Sequence, residues 1–332
     1  MTANEKQYKS VTVRVALTLL LFIALFFIYS IAMALLGEYT KTAGAPGDIL
    51  YNALYGVGYA LAFMLPAGFF YLISKGKTKE RVYFNAALPK ETPLYIFTGL
   101  AVILAAAYLN SILLEPFQYS SFSDQLIPSV PATANYEIVL MVFTTAVVPA
   151  FVEELLFRGV ILTNLLPYGR VTAVFGSALL FGAMHQNAGQ FFYAVVAGLV
   201  LGYAYVKTRS IWCGVLLHFV NNFYSVLNPV LGERLPEETA GTVLTVTHVC
   251  IFAFGVLSFV CLLAKAKDQT AAIRENGAFG VELPANPDYA AVAIPARRRV
   301  RLFFNAPMVV FLSVCAVEML IYVFLAAIGA SV

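Results

Sequence analysis

Long apolar runs fill this chain, separated by short polar stretches in which Lys and Arg gather at every second interruption. A helix needs about 20 mainly apolar residues to cross a hydrocarbon layer. By that measure the pattern predicts eight or nine spans, near residues 12–37, 50–74, 93–114, 137–166, 171–188, 190–206, 210–231, 243–264 and 304–330. The fifth and sixth are short and joined only by Gln186 to Gly189. The expected fold is therefore all-α, a polytopic transmembrane helix bundle forming a single membrane domain over residues 1–332.

The loops give the expected orientation. Lys75, Lys77, Lys79 and Arg81 follow the second run, Arg170 the fourth, and Lys207 with Arg209 the sixth. Lys265 and Lys267 follow the eighth, and Arg297, Arg298, Arg299 and Arg301 precede the ninth. The opposite loops carry Glu38 and Asp48, then Glu115 and Asp124, then Glu233, Glu237 and Glu238. Lys and Arg accumulate at the cytoplasmic ends of spans. Nine spans with a cytoplasmic N-terminus, in a multi-pass protein of the cell membrane, satisfy the whole alternation. Residues 266–303, with three prolines and few large apolar residues, read as a cytoplasmic linker without a core, and residues 115–136 as an outer loop.

Composition agrees. The chain is 61% hydrophobic and 12% charged, with mean hydropathy +0.81, against about 25% charged residues in a soluble domain. The net charge is only +3, and no basic patch interleaved with aromatics lies outside the apolar runs, which argues against a nucleic-acid partner. Cys213, Cys250, Cys261 and Cys315 fall in apolar stretches without CxxC spacing and read as small buried hydrophobes. The first run, from Val15 to Leu36, is longer than the apolar part of a signal peptide and reads as a retained helix. In the sixth run Ala194, Gly198 and Gly202 form a small-residue step suited to close packing within the bundle.

Charges inside these runs turn a membrane anchor into a candidate enzyme. Residues 152–159 read Val-Glu-Glu-Leu-Leu-Phe-Arg-Gly in the fourth run. A charge at bilayer depth costs about 2.5–3.5 kcal/mol on insertion scales, so it persists when paired or in use. Glu154 and Arg158 are four apart and share a helix face, which favours an ion pair. Glu153 points about 100° away from that face. Pro149, four residues earlier, lacks an N–H and leaves a carbonyl one turn back without its helical donor, so a local kink with room for water is expected. The fifth run ends Phe181-Gly-Ala-Met-His185, and the seventh contains His218-Phe-Val-Asn-Asn222. Counted from the hairpin near Pro167, Glu153 and His185 fall at similar heights, about 20–25 Å at 1.5 Å per residue. His218 counts out shallower, so a tilt or an unwound turn is needed to bring it level.

These residue types suit peptide hydrolysis. A carboxylate withdrawn from bulk water can take a proton from a bound water, and His185 can share that work or help to hold a metal. His218 and Asn222 can donate hydrogen bonds to an oxyanion. No serine or cysteine sits in a motif with them, which leaves water as the expected nucleophile.

Glu-Glu-x-x-x-Arg, Phe-x-x-x-His and His-x-x-x-Asn, in this order on the fourth, fifth and seventh helices, resemble the CPBP intramembrane protease family of CAAX-processing and bacteriocin-processing enzymes. This family is also known as the type II CAAX endopeptidase or Abi family. The resemblance covers a motif core at residues 137–231. It implies an intramembrane endopeptidase acting on a membrane-associated or lipidated peptide or protein at the bilayer. Glu153 would activate the water, assisted by His185, with Glu154 in support and Arg158 positioning it. His218 and Asn222 would form the oxyanion pocket. Zinc or another divalent metal stays an open cofactor, with Glu153, His185 and His218 as candidate ligands, although no HExxH motif is present.

Other readings stay open on the residues alone. Glu154 and Arg158 could be a structural pair, and His185 a helix-end histidine beside Gln186 and Asn187. The same fold could serve a non-catalytic scaffold or regulator that binds a membrane partner. A proton-coupled transporter fits less well, since the sequence shows no inverted repeat. Asn110, His248 and Glu318 match no motif and read as structural or interfacial polar groups, with Glu318 a secondary candidate.

Overall fold

The computed structural model describes residues 1–40, 45–75, 88–114, 135–275 and 294–327. Expectations for the loop with Lys77, Lys79 and Arg81, for most of the outer loop, for the middle of the linker and for the end of the ninth run lie outside the described residues. Ten helices follow in order: α1 (Ala3–Thr40), α2 (Ala45–Ser74), α3 (Thr92–Leu114), α4 (Asn135–Tyr168), α5 (Arg170–Met184), α6 (Ala188–Thr208), α7 (Ile211–Arg234), α8 (Glu237–Glu275), α9 (Ala296–Phe303) and α10 (Ala306–Ala327). No strand occurs among the described residues.

The fold is thus an all-helical membrane bundle. Seven helices, namely α1 to α4, α6, α8 and α10, are long and apolar enough to cross a bilayer. Of the two other helices that fall on predicted spans, α5 has 15 residues. The second, α7, has 24 residues, but His218, Asn221, Asn222 and Asn228 dilute its apolar content. One falls short by length and the other by composition, and these two helices lead to His185 and carry His218.

α4 lies at the centre, in contact with α2, α5, α6 and α7. Leu156, Phe157, Ile161 and Leu162 on it are fully buried. On one side α1 packs against α2 and α10; on the other α3 packs against α6, α7 and α8. Lipid is as apolar as leucine, so helices associate here through close packing and hydrogen bonds. Gly198 illustrates the packing, because a Cβ there would lie 2.9 Å from Ala178 Cα of α5. The small-residue step thus works within the bundle, between α5 and α6.

α4 is irregular on either side of its two glutamates. It widens into π-helix over Phe143–Val147 and again over Leu155–Leu162, a distortion often found at functional sites. Side chains bond the carbonyls of the second widened turn: Thr163 Oγ1 donates to Arg158 O at 2.8 Å, Asn164 Nδ2 to Val160 O at 2.8 Å and Ser177 Oγ to Phe157 O at 3.2 Å.

The ends of the expected linker are helical. α8 continues to Glu275, and α9 buries Leu302 and Phe303 while Arg299 donates to Tyr168 O at 2.6 Å. Two apolar residues among four arginines are a small signal in a window dominated by charge.

Candidate active site

Arg158 is completely buried beside an equally buried Glu154, and its Nη1 donates to Glu154 Oε1 at 2.6 Å. Its Nη2 reaches across to Gly198 O of α6 at 3.1 Å, and its Cζ stands 4.6 Å from the centre of the Phe181 ring. The second bond to Glu154 Oε1 comes from α7, where His218 Nδ1 approaches to 3.1 Å. A carboxylate accepts, so this contact places the proton on Nδ1. His218 Nε2 then lies 3.9 Å from Glu153 Oε2. One turn before His218, Gly214 lets α7 lie against the carboxylate, since a Cβ there would be 2.7 Å from Glu154 Oε2. Arg158, Glu154 and His218 therefore tie α4, α6 and α7 together. Removing one partner of such a buried pair typically costs about 3–5 kcal/mol.

His218 reaches the level of the glutamates because α7 starts inside the bundle, with Ser210 and Ile211 fully buried. The π-helical stretch of α4 also places more residues in each turn between the hairpin and Glu153 than an α-helix would. Together these close the height difference that a uniform 1.5 Å rise predicts.

Glu153, only 4% exposed, faces the other way, towards α2. Tyr59 donates its hydroxyl to Glu153 Oε1 at 2.6 Å. Glu153 Oε2 accepts no hydrogen bond from a described residue. It borders a cavity of ≈ 170 Å³ whose lining includes Phe26, Tyr55, Tyr59, Pro149, His185 and Asn222. Tyr59 belongs to an aromatic stripe on α2, with ring centres 6.1 Å from Tyr55 and 4.9 Å from Phe63. No motif in the sequence points to Tyr59. The four-residue spacing of Tyr51, Tyr55, Tyr59 and Phe63 was its signal, but such a stripe looks the same when it is merely packing.

His185 closes α5 as its C-cap. Its Nδ1 donates to Phe181 O at 2.8 Å, since a carbonyl only accepts, and the neutral ring then carries its lone pair on Nε2. The Phe181 ring meets His185 edge-on at 5.0 Å and His218 at 5.9 Å, so one phenyl group spaces both histidines. The turn after His185 runs through Gln186 at φ 51°. Gln186 Nε2 donates to Glu318 Oε2 of α10 at 2.5 Å, and Asn187 caps α6 by accepting from Gln190 N at 3.2 Å. Glu318, a polar intrusion in the sequence, thus anchors the turn that carries His185.

Asn222 completes the cavity wall. Its Nδ2 donates to Thr145 O at 3.2 Å. That is the carbonyl four residues before Pro149, where the ring nitrogen has no proton to offer. Asn221 Nδ2 donates to Asn222 Oδ1 at 3.1 Å and fixes the amide orientation. One N–H of the Asn222 amide is left for another acceptor.

The structure therefore gathers Glu153, His185 and Asn222 around one cavity. Glu154, Arg158 and His218 lie directly behind, with His218 between the two carboxylates. Among the described residues no three His, Cys, Asp or Glu side chains are arranged to hold a metal ion. Of the candidate ligands, His218 is committed through Nδ1 to Glu154, and its Nε2 stands 3.9 Å from Glu153.

Residues 135–224 match the family model for type II CAAX prenyl endopeptidase, Rce1-like. The matched stretch is similar to that family and covers less than half of the chain. It begins with the first residue of α4, ends within α7 and contains all six candidate residues. Tyr59 and Glu318 lie outside it. No curated protein and no solved structure matches the chain.

Proposed function

We propose that the protein is an intramembrane endopeptidase that hydrolyses a peptide bond in a membrane-associated or lipidated peptide or protein, using a water activated by Glu153. The observation that carries this reading is the asymmetry of the Glu153 carboxylate. Tyr59 holds Oε1, while Oε2 is buried at the cavity edge without a described donor.

A water between Glu153 Oε2 and His185 Nε2 gives up a proton to the carboxylate as its oxygen attacks the scissile carbonyl. General acid–base assistance of this kind typically contributes about 10²–10⁴-fold. The oxyanion accepts from the remaining Asn222 N–H and from His218 Nε2, which donates when the ring is an imidazolium. Two carboxylates and one guanidinium leave one negative charge in this cluster, and a proton on His218 neutralises it. Glu153 then passes its proton to the departing amine, the C–N bond breaks, and the carboxyl product forms. Glu154 and Arg158 act by positioning His218 and Phe181. No step runs through a metal, so chelators should leave the rate unchanged. The Lys and Arg distribution supports a cytoplasmic N-terminus, and we place the protein in the cell membrane.

The test is cleavage of a lipidated C-terminal peptide by purified protein, comparing wild type with Glu153→Gln. The isosteric change keeps an acceptor for Tyr59 but cannot take a proton. A protease loses turnover, whereas a scaffold that only binds its partner retains binding. Full turnover in Glu153→Gln would overturn the mechanism.

A further inference from the structure

The inner ends of α1 and α2 enclose a cleft of ≈ 570 Å³ far from Glu153 in sequence and position. Lys6, Lys9 and Arg14 line it from α1 and Lys75 from the end of α2, together with the hydroxyl-bearing Ser10 and Ser74. No Asp or Glu is among its described lining residues. The nearest carboxylate along the chain, Glu5, accepts from Arg298 Nε at 3.1 Å and lies 4.0 Å from the N-terminal ammonium of Met1, which also borders the cleft.

Three cations elsewhere on this side of the bundle have described partners. Lys265 pairs with Glu91 at 2.8 Å, Arg298 with Glu5 at 3.1 Å, and Arg299 donates to Tyr168 O at 2.6 Å. The four cleft cations form no ion pair with a described residue. Arg14, whose Cζ stands 5.9 Å from the centre of the Phe70 ring, has its Nε buried without a described hydrogen-bond partner, as has Arg299. Four positive side chains held around one concavity repel one another, and a bound anion removes that repulsion.

Position decides which anion. The buried part of α1 begins with Tyr8 and Val11, and α2 ends at Ser74. The cleft therefore sits where the two helices leave the hydrocarbon layer, at the depth of lipid phosphates. Its remaining walls include Val13 and Ile73, apolar residues against which the upper part of an acyl chain can lie. Basic pockets between transmembrane helices at this depth suit anionic head groups. Lys75 stands in the left-handed region at φ 45°, which turns the chain at the end of α2 and brings its ammonium to the cleft.

We propose that this cleft is a binding site for the phosphate head group of an anionic phospholipid, held by Arg14, Lys75, Lys9 and Lys6. The assignment is independent of the peptidase reading. The occupied site would clamp α1 to α2, the two helices that supply the aromatic wall of the catalytic cavity.

The test uses the full chain in a neutral detergent, with phosphatidylglycerol, phosphatidylcholine or inorganic phosphate added. Bound lipid is counted by native mass spectrometry and the melting temperature is followed with concentration. Phosphatidylglycerol is expected to bind one molecule and raise the melting temperature saturably, while phosphatidylcholine does not. Lys9→Gln with Lys75→Gln, both exposed positions, should weaken that binding by about tenfold or more. The control, Lys265→Gln with Lys267→Gln at the end of α8, should leave it unchanged. Arg14→Gln, read by mass spectrometry on whatever fraction folds, provides a second variant. Equal effects of the two lipids, or equal losses in cleft and control variants, would overturn the proposal. A shift of the same size from inorganic phosphate alone would give the cleft to a free anion and overturn the lipid assignment.

Discussion

Two histidine-centred polar clusters lie in the bundle, and they differ in how completely their atoms are bonded. Between α3, α7 and α8, His248 has both ring nitrogens occupied, Nδ1 by the Tyr108 hydroxyl at 2.7 Å and Nε2 by the Tyr224 hydroxyl. A largely apolar cavity of ≈ 550 Å³ adjoins it. Around Glu153 the cavity is smaller, ≈ 170 Å³, but there a carboxylate oxygen is buried without a described donor. The larger space offers no free acid or base, while the smaller one offers both Glu153 Oε2 and His185 Nε2. Buried polar groups are nearly always hydrogen-bonded, so an exception calls for a reason. Asn228 Oδ1 at the larger cavity is also buried without a described partner, so what sets the smaller cavity apart as a candidate site is that its open group is a carboxylate.

The sharpest way to break that comparison is to neutralise one group in each cluster. Glu153→Gln is expected to lower turnover by about 10²–10⁴-fold with the fold retained, read from peptide cleavage beside the circular dichroism melt. His248→Gln should leave turnover near wild type and show itself in melting temperature alone. If His248→Gln lost as much turnover as Glu153→Gln, bonding completeness would not separate chemistry from structure.

Much of this site could be read from spacing alone. Glu154 and Arg158 pair as an i,i+4 step requires, and Pro149 does leave a carbonyl for a partner, found in Asn222. What spacing could not supply is what arrives from distant helices. Tyr59 meets Glu153 across 94 positions, and Glu318 meets Gln186 across 132. The depth of His218 was also illegible, because a uniform helical rise knows nothing of π-turns or of a helix that begins within the core. Likewise α9 was hidden, since four arginines outweigh two buried apolar residues in any window average.

A second contrast lies within the site, between the atoms that react and the ion pair that holds them. Arg158→Ala removes one partner of a fully buried pair and leaves Glu154 uncompensated, which should cost about 3–5 kcal/mol of stability. The expected readout is a fall in melting temperature and folded yield, with activity lost as a consequence. Replacing both charges, with Glu154→Gln and Arg158→Met, should restore part of the stability without restoring turnover. Restored turnover in that pair would mean that the ion pair only packs the helices and does not position His218.

Tyr59→Phe sharpens the difference between the two tyrosine-bonded groups. A hydrogen bond to a charged acceptor contributes about 1.5–3 kcal/mol, so loss of the Tyr59 hydroxyl should slow turnover by roughly 10–100-fold. Substrate affinity should hold, because Tyr59 acts by orienting Glu153. The corresponding Tyr224→Phe beside His248 removes a hydroxyl of the same kind and should change kcat little. A rise in KM with unchanged kcat in Tyr59→Phe would make the tyrosine part of the substrate wall instead.

The smallest effect is expected at Glu318, which touches the reaction only through a turn. Its Oε2 accepts from Gln186 Nε2, and Gln186 is the left-handed residue directly after His185. Glu318→Leu breaks this bond and leaves the buried Gln186 amide short of an acceptor, a change worth about 1–3 kcal/mol. Part of that is absorbed by the neighbouring Asn187 cap, so a several-fold loss of kcat is expected rather than a collapse. Glu318→Gln keeps a carbonyl oxygen for Gln186 and should rescue most of the rate. This rescue separates the accepted hydrogen bond from the charge of Glu318. If the Gln variant failed as badly as the Leu variant, the negative charge would be the active property and Glu318 would belong with the ionisable groups of the site. If neither variant changed kcat, the Asn187 cap alone would suffice to hold His185 in place.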